Sequence, residues 1–367
     1  MRLDDYEALA RERLDANAWA YFAGGAADEI TLRANREAWA AHWLHPRVLR
    51  TLAHGHTRVE LLGRTLAHPI LVAPMAFQRL AHDGGELASG FAAAVQGAGM
   101  VLSAQASVPL EDVARLVLPE ATRGPLWFQL YLQGDRGFDL DLVRRAEAAG
   151  FEALVLTVDA PMHGARDRER RAGFALPGGI AAVNLAGAPP LPRGGELCGG
   201  LLAAAPGWDD VDWLRAQTRL PLVLKGVLHP DDAKRAQARG ADALIVSNHG
   251  GRTLDTALPT AWALPRIADA LGGTLPLLVD GGIRRGTDVL KALALGARAV
   301  LVGRPIVFAL AAAGPQGVAH ALRLLRDELE IAMALAGIAT LDAVPRELLF
   351  DAPKSQPALP GSAPGDA

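Results

Sequence analysis

The sequence predicts an α/β protein: a single (β/α)8 TIM barrel with an N-terminal helical extension and a long loop after the fourth strand. From about residue 70 onward, short apolar runs alternate with longer amphipathic segments, the pattern of repeated strand-helix units around a parallel sheet. Eight such runs can be counted, and eight parallel strands joined by crossovers close naturally into a barrel. A chain of 367 residues, half of them apolar, is long enough to bury that core. An open doubly wound sheet is the alternative arrangement of the same units.

The elements follow in order. Before the barrel, Ala16 to Phe22 and Leu32 to Trp43 read as helices packing against it, so residues 1–60 form an N-terminal helical segment and 61–352 the barrel. The strand runs are HPILVAP around Leu71, GMVLSA around Leu102, LWFQLYL around Gln129, ALVLTVD around Leu156, LPLVLKG around Leu224, ALIVSN around Val246, PLLVDGG around Val279 and AVLVGRP around Val302. Helices are expected in LASGFAAAVQGAG, LDLVRRAEAAGF, PDDAKRAQARGA and GTDVLKALALGA, several of which end in Gly as a helix stop. The segment 176–206 has little periodicity. Placed after a strand, at the mouth where barrel enzymes work, it is either a lid or a solvated linker. Residues 353–367, rich in Pro, Ala and Gly, read as a disordered tail.

Charge and composition narrow the partners. Lys plus Arg number 37 against 40 Asp plus Glu, so no global basic field draws in nucleic acid or an acidic membrane surface, and small molecules are the expected ligands. Cys198 is the single cysteine, which excludes an intramolecular disulfide framework and suits a reducing, cytoplasmic setting. The N-terminus mixes acids and bases at helical spacing without the apolar centre of a secretory signal. Each long apolar run is interrupted before the roughly 18 residues a membrane span needs. No metal ligands are assigned.

Polar residues gather at the strand ends, which the barrel would bring together on its carboxyl face. Ser103, Gln129, Tyr131, Thr157, Asp159, Lys225, Ser247, His249, Asp280 and Arg304 all occupy such positions. Singly, Ser103 or Thr157 could cap a helix and Gln129 could satisfy backbone groups. Ten in register point instead to a shared site. In VDGGIRRGTDVLKALALGARAVLVGRP, paired glycines let backbone N–H groups approach an anion while Arg284 and Arg304 add positive charge, the features of a phosphate cradle after strands seven and eight. In VSNHGGRTLD, His249 is the natural general base, and Arg252, three residues on, offers a planar fork to a carboxylate. Asp159 could orient and support the His249 imidazole, with Arg166 a second carboxylate donor and His163 nearby. Lys225 has two readings, a Schiff-base amine or a fixed positive charge beside a reduced ring, which spacing cannot separate.

With these residues assembled, the chain resembles the FMN-dependent L-2-hydroxy-acid oxidase and dehydrogenase family, which includes glycolate oxidase, lactate oxidase and mandelate dehydrogenase. The resemblance runs from about Tyr6 to Leu349 and is carried by YFAGGAADE, QLY, LVLKG, SNHGGRTLD and DGGIRRGTDVLKALALGA. It implies FMN as cofactor. Pro74, Met75, Ala76, Ser103, Gln129 and Thr157 would line the flavin ring, Lys225 and Ser247 would lie beside it, and Asp280, Gly282, Arg284, Gly303 and Arg304 would hold the ribityl chain and phosphate. Tyr21, Tyr131, Arg166, His249 and Arg252 would surround a small 2-hydroxy acid, with Asp159 behind His249. For Lys225, the resemblance favours charge stabilisation. It further implies oxygen or another electron acceptor, a soluble enzyme, and a homo-oligomer of four or more subunits. Ala76 matches many family oxidases, whereas Gln105 and His163 make the substrate side-chain pocket more polar than in glycolate oxidase. Two rival readings are an FMN-dependent isomerase of the isopentenyl-diphosphate type and a flavin-free Lys225 aldolase.

Overall fold

The computed structural model describes residues 1–189, 202, 205–342 and 344–350. The expected tail at 353–367, Cys198 and much of the second half of the 176–206 segment lie outside the described residues.

The chain opens with three helices, α1 (Leu3–Arg13), α2 (Ala16–Ala23) and α3 (Ile30–Ala41). Asp15 starts α2 by accepting the Ala18 N–H at 2.7 Å, a side-chain cap of the ordinary kind. Helix does not extend across the rest of 1–60. Past Ala41 the sequence HWLHPRVLRTLAHG contains Pro46 and Gly55, which cannot continue a helical ladder without cost, and the backbone turns extended. Trp43, expected in a helix, instead lies in β1 (Trp43–Leu44), paired antiparallel with β12 (Leu349–Phe350) near the other end of the chain. A short hairpin of β2 (Val59–Leu61) and β3 (Arg64–Leu66) then leads into the barrel.

The barrel strands are β4 (Ile70–Val72), β5 (Gly99–Ser103), β6 (Leu126–Leu130), β7 (Leu154–Thr157), β8 (Leu222–Val227), β9 (Ala243–Val246), β10 (Leu277–Val279) and β11 (Ala299–Val302). They pair in parallel, each with its sequence neighbours, and β11 closes on β4, so the sheet is a closed barrel rather than an open sheet. Strands buried on both faces account for the near-continuous apolar runs in the sequence, since helices cover the outside and side chains fill the inside. One irregularity matters for the site. Between Lys225 and Val227 the β8–β9 register shifts, with Gly226 at φ 109°. A Cβ on Gly226 would lie 2.4 Å from that of Asp159, so only glycine lets the bulge pass against this carboxylate.

Helices α4 (Gly85–Val95), α5 (Leu110–Val117), α6 (Arg136–Ala149), α8 (Trp208–Gln217), α9 (Pro230–Ala238), α10 (Thr260–Leu271), α11 (Gly286–Ala294) and α12 (Arg304–Ala336) follow successive strands, with α7 (Asp167–Arg171) a short turn inside the loop after β7. Helix α12 breaks at Ala313 and Gly314, just before Pro315. Its most apolar 18-residue window would suit a membrane by composition, but 72% of it is buried inside the protein, the packing of a core helix. The described part of the loop after β7 is anchored at two places. Asn17 on α2 exchanges two hydrogen bonds with the Ala175 backbone, at 2.9 and 3.0 Å. The buried Asn184 accepts the Leu110 N–H at 2.8 Å and donates to the Val108 carbonyl, satisfying the start of α5.

Candidate active site

At the carboxyl ends of the strands lies a cavity of about 1020 Å³. Its wall is assembled from every barrel strand or the segment after it, with Tyr21 contributed by α2. Nearly all the residues singled out in the sequence are on it. Pro74, Met75 and Ala76 follow β4, Ser103 ends β5, Gln129 and Tyr131 come from β6, and Thr157 ends β7. Arg166, Lys225, His249, Arg252, Asp280, Gly282, Arg284, Gly303 and Arg304 complete the wall, together with Gln105 and His163. Two residues stand behind it. Asp159 supports His249, while Ser247, expected beside the cofactor, accepts from Lys225 Nζ and from the His249 N–H, both at 3.0 Å.

His249 is the most constrained residue of the site. Its φ of 56° is left-handed, a conformation costing an L-residue about 1–2 kcal/mol, and three hydrogen-bonded groups hold it there. Ser247 fixes its backbone, Asp159 Oδ1 lies 2.9 Å from Nδ1, and the Tyr131 hydroxyl lies 3.5 Å from Nε2. A carboxylate on Nδ1 places the ring proton there and leaves Nε2 as the acceptor toward Tyr131 and the cavity. Burial lowers the His249 pKa below its usual 6.5; Asp159 opposes this shift and Lys225 adds to it. For Asp159, burial pushes the pKa up, but the charges of His249 and Lys225 and the hydrogen bond to His249 outweigh it and hold the carboxyl below its ordinary value. This is a base kept neutral near neutral pH and oriented by a third group.

Lys225 lies deep in the barrel, 3.3 Å from Asp280 Oδ2. Burial disfavours its charge, yet Asp280 and Asp159 together raise its pKa, so it is a fixed cation and not a neutral amine. The ion pair with Asp280 favours the charged form, whereas an activated Schiff-base nucleophile needs a depressed pKa.

The substrate end is built from side chains that sequence spacing could not connect. Arg252 donates from Nη1 to the carbonyls of Tyr21 at 2.5 Å and Gly24 at 2.9 Å, and its guanidinium lies 5.0 Å from the centre of the Tyr21 ring. Phe174 stacks on the same ring at 4.8 Å. Glu169 on α7 accepts from Arg252 Nη2 at 3.2 Å and from Arg166 Nη1 at 3.4 Å. Neither Glu169 nor Phe174 was singled out in the sequence; both sit in the charged run RDRERRAGF, where alternating signs read as a solvated face. Only the fold reveals which of those charges turns inward.

At the other end, after β10 and β11, the positive charge exceeds its local partners. Arg304 donates to the carbonyls of Phe22 at 3.0 Å, Gly250 at 2.8 Å and Gly24 at 2.7 Å, but has no ion-pair partner among the described residues. Burial, reinforced by Arg252 and Arg284, lowers its pKa to about 9, so it remains charged. Arg284 donates to the Ile283 carbonyl at 3.0 Å, and its one ion-pair partner among the described residues is Asp4, at 3.6 Å. Both guanidinia stand at the start of α12 or in the Gly281-Gly282 turn, and α12 begins without a side-chain cap. Buried cations beside a helix N-terminus match an anion of high charge density such as a phosphate. Gly282, at φ 87°, takes this turn because a Cβ would fall 2.6 Å from the Asn35 carbonyl. Further in, Gln129 Nε2 and Asp280 Oδ1 are buried without a partner among the described residues. Unpaired buried polar atoms are costly unless a ligand satisfies them, and a polar heterocycle carrying a ribityl phosphate offers donors and acceptors along that line. The residues present therefore fit a flavin mononucleotide.

Asn35 is the other residue missed in the sequence. Its amide exchanges two hydrogen bonds with Asn248, at 2.9 and 2.8 Å, tying α3 to the residue before His249. Thr260 and Trp39 bond the carbonyls of Asp280 and Gly281.

The fold and these two charge patterns fit a barrel flavoenzyme. The chain belongs to the FMN-dependent dehydrogenase family, whose sequence profile it matches over residues 10–351. It is 50% identical over 352 residues to an L-lactate oxidase from Alicycliphilus denitrificans (strain DSM 14773 / CIP 107495 / K601), covering 94% of this chain and 95% of the relative. It is 46% identical to a 4-hydroxymandelate oxidase from Amycolatopsis orientalis, covering 94% and 96%. Among solved structures, a mandelate oxidase variant with a C4a-OH-FMN adduct superposes with a TM-score of 0.85 at 46% identity, covering 94% and 98%. The protein is thus an FMN-dependent oxidoreductase. These matches give no support to the isopentenyl-diphosphate isomerase reading or to a flavin-free aldolase.

Proposed function

We propose that the enzyme oxidises small L-2-hydroxy acids of the lactate, glycolate and mandelate class to 2-oxo acids, with His249 as the base. The observation that carries this reading is the grouping of His249 Nε2, the Tyr131 hydroxyl and the guanidinia of Arg252 and Arg166 on one cavity wall. A base adjoining a carboxylate clamp suits an acid bearing a hydroxyl on the neighbouring carbon. The relatives named as L-lactate and 4-hydroxymandelate oxidases support the substrate class.

Arg252 and Arg166 hold the substrate carboxylate, with Tyr21 closing over it. His249 receives one proton from the substrate, and the Asp159 carboxylate stabilises the resulting imidazolium. Bound FMN would supply the acceptor for the two electrons and the second proton, so the hydroxy acid, having lost two electrons and two protons, leaves as the oxo acid. Gln129 would meet the ring, Lys225 would balance negative charge on it, Asp280 would meet the ribityl chain, and Arg284, Arg304 and the Gly282 turn would hold the phosphate. Ser247 keeps Lys225 and His249 in place from behind.

Ala76 and the relatives named as oxidases support oxygen as the final acceptor, and a reducing cytoplasm suits a chain with one cysteine. An oligomer is supported by an exposed apolar patch. Trp43 pairs with Phe350, Arg47 bonds to Ala336 beside Leu335, and Val48 and Leu49 are 80% and 101% exposed.

The test is anaerobic reduction of the bound flavin by glycolate, L-lactate and L-mandelate. His249→Gln is expected to keep a yellow, folded protein and to slow reduction by roughly 10²–10⁴-fold, the usual contribution of a positioned base. Near-normal reduction would remove His249 from the chemistry.

A further inference from the structure

Two guanidinium groups converge on a single carboxylate at the substrate end. Glu169 Oε1 lies 3.4 Å from Arg166 Nη1 and 3.2 Å from Arg252 Nη2, and all three side chains are at most 15% exposed. Glu169 lies on the cavity wall. Its helix is held from outside by Arg168, whose ion pair with Glu29 measures 2.5 Å. The arginines are not saturated by this contact. Arg166 Nε is buried without a partner among the described residues. Among the described residues Arg252 donates from Nη1 and Nη2 only, while a guanidinium has five N–H donors. The pair thus has donors available for a second acceptor next to Glu169, and the charges sum to one net positive. Of the other ionised groups on or behind this wall, Lys225 pairs with Asp280 and Asp159 is hydrogen-bonded to His249, while Arg304, which has no ion-pair partner among the described residues, would face the FMN phosphate.

We propose that Glu169 is a specificity-determining residue that sets the charge of the acid the site accepts, selecting 2-hydroxy monocarboxylates over 2-hydroxy dicarboxylates. The inference rests on the reading of Arg166 and Arg252 as the carboxylate clamp. A monoanion neutralises the triad. A dianion would bring into the cavity that Glu169 lines one negative charge more than the triad's net positive charge balances, where the Glu169 carboxylate repels it. Glu169 also holds the two arginines together, since without its charge they would repel each other.

The experiment compares kcat/KM for L-lactate and L-malate on the FMN-loaded wild-type enzyme, Glu169→Gln and Glu169→Asp. The wild type is expected to favour L-lactate by at least about tenfold, the scale of one partly screened charge interaction. Glu169→Gln keeps a hydrogen-bond acceptor but drops the charge, and should raise the malate-to-lactate ratio by about tenfold or more. Glu169→Asp keeps the charge and should return the ratio toward that of the wild type. A purely structural role would lower both activities together and leave the ratio unmoved. An unchanged ratio in Glu169→Gln overturns the proposal. Equal use of both acids by the wild type overturns it without any variant, should Glu169→Gln fail to fold. A wild-type flavin reduced by neither acid overturns instead the assignment of the site to 2-hydroxy acids.

Discussion

The two ends of the cavity are stabilised by different kinds of contact. After β10 and β11, a glycine turn and the first turn of α12 come from one stretch of sequence, and the groups around them are largely backbone: Arg304 bonds three carbonyls, while Thr260 and Trp39 bond two more. At the substrate end, side chains from α2, the loop after β6, α7 and the loop after β9 meet through charge: Tyr21, Tyr131, Glu169 and Arg252 are scattered over 231 positions. The first arrangement fits a ligand that stays, since backbone carbonyls pin the side chains that would face it. The second suits one that enters and leaves, because each turnover can exchange an internal ion pair for a substrate contact. The same pocket thus separates retention from selection.

The comparison is tested most severely at His249. Replacing Asp159 with Asn removes the charge that opposes the burial-driven fall in the His249 pKa. A base works when deprotonated, so in the wild type kcat/KM should fall only as pH drops below the ordinary histidine value of 6.5. In Asp159→Asn this acid limb should move to still lower pH, because the imidazolium has lost its stabilising carboxylate, and the plateau rate should drop by about 10²-fold or more. A limb that moves upward, or a rate within a few-fold of wild type, would place the proton elsewhere. FMN retention should change far less than turnover.

The converse variant addresses the phosphate end. Arg284→Leu removes a buried guanidinium whose only described ion-pair partner is Asp4. Loss of one charge-assisted contact to a phosphate, worth about 1.5–3 kcal/mol, should weaken FMN binding by roughly 10–100-fold. Apoenzyme titrated with FMN while flavin fluorescence is followed gives the number directly. If Arg284→Leu changes KM for the acid more than Kd for FMN, the two ends are not separable in this way.

The contrast also explains what could be read from the sequence. The barrel was legible because burial on both faces writes each strand as an apolar run, and the closed order of β4 to β11 follows from their number. The cradle was legible because Asp280, Gly282, Arg284, Gly303 and Arg304 lie within 25 positions, where local chemistry shows as a motif. His249 and Arg252 share that advantage. Glu169 did not, since a carboxylate among four arginines looks solvated until the fold turns it toward Arg252. Trp43 was misread for the opposite reason. Its apolar side chain continues the periodicity of α3, but the long-range partner Phe350 draws it into a strand. Asn35 gave no signal, because a polar residue in an amphipathic helix is usually on its wet face.

Asn35 supplies the smallest effect and the most discriminating one, because it touches both ends of the pocket. Its side chain is buried and bonds reciprocally to Asn248, next to His249, and its Oδ1 accepts from the Thr260 N–H at 3.3 Å. Thr260 in turn holds the Asp280 carbonyl at 2.6 Å. Asn35→Ala removes two of the Asn248 amide's hydrogen bonds, leaving those to the Leu258 carbonyl and the Gly251 N–H, and should lower stability by about 1–3 kcal/mol, seen as a fall of a few degrees in Tm. Because one network supports both the His249 backbone and the turn after β10, FMN affinity and kcat should decline together, each by no more than about tenfold. Asn35→Asp keeps the acceptor toward Thr260 but loses the donor toward Asn248. It should therefore retain FMN better than Asn35→Ala while showing a similar loss in kcat. Equal recovery of both properties, or of neither, would mean that α3 braces the pocket as a whole and not through two separate contacts.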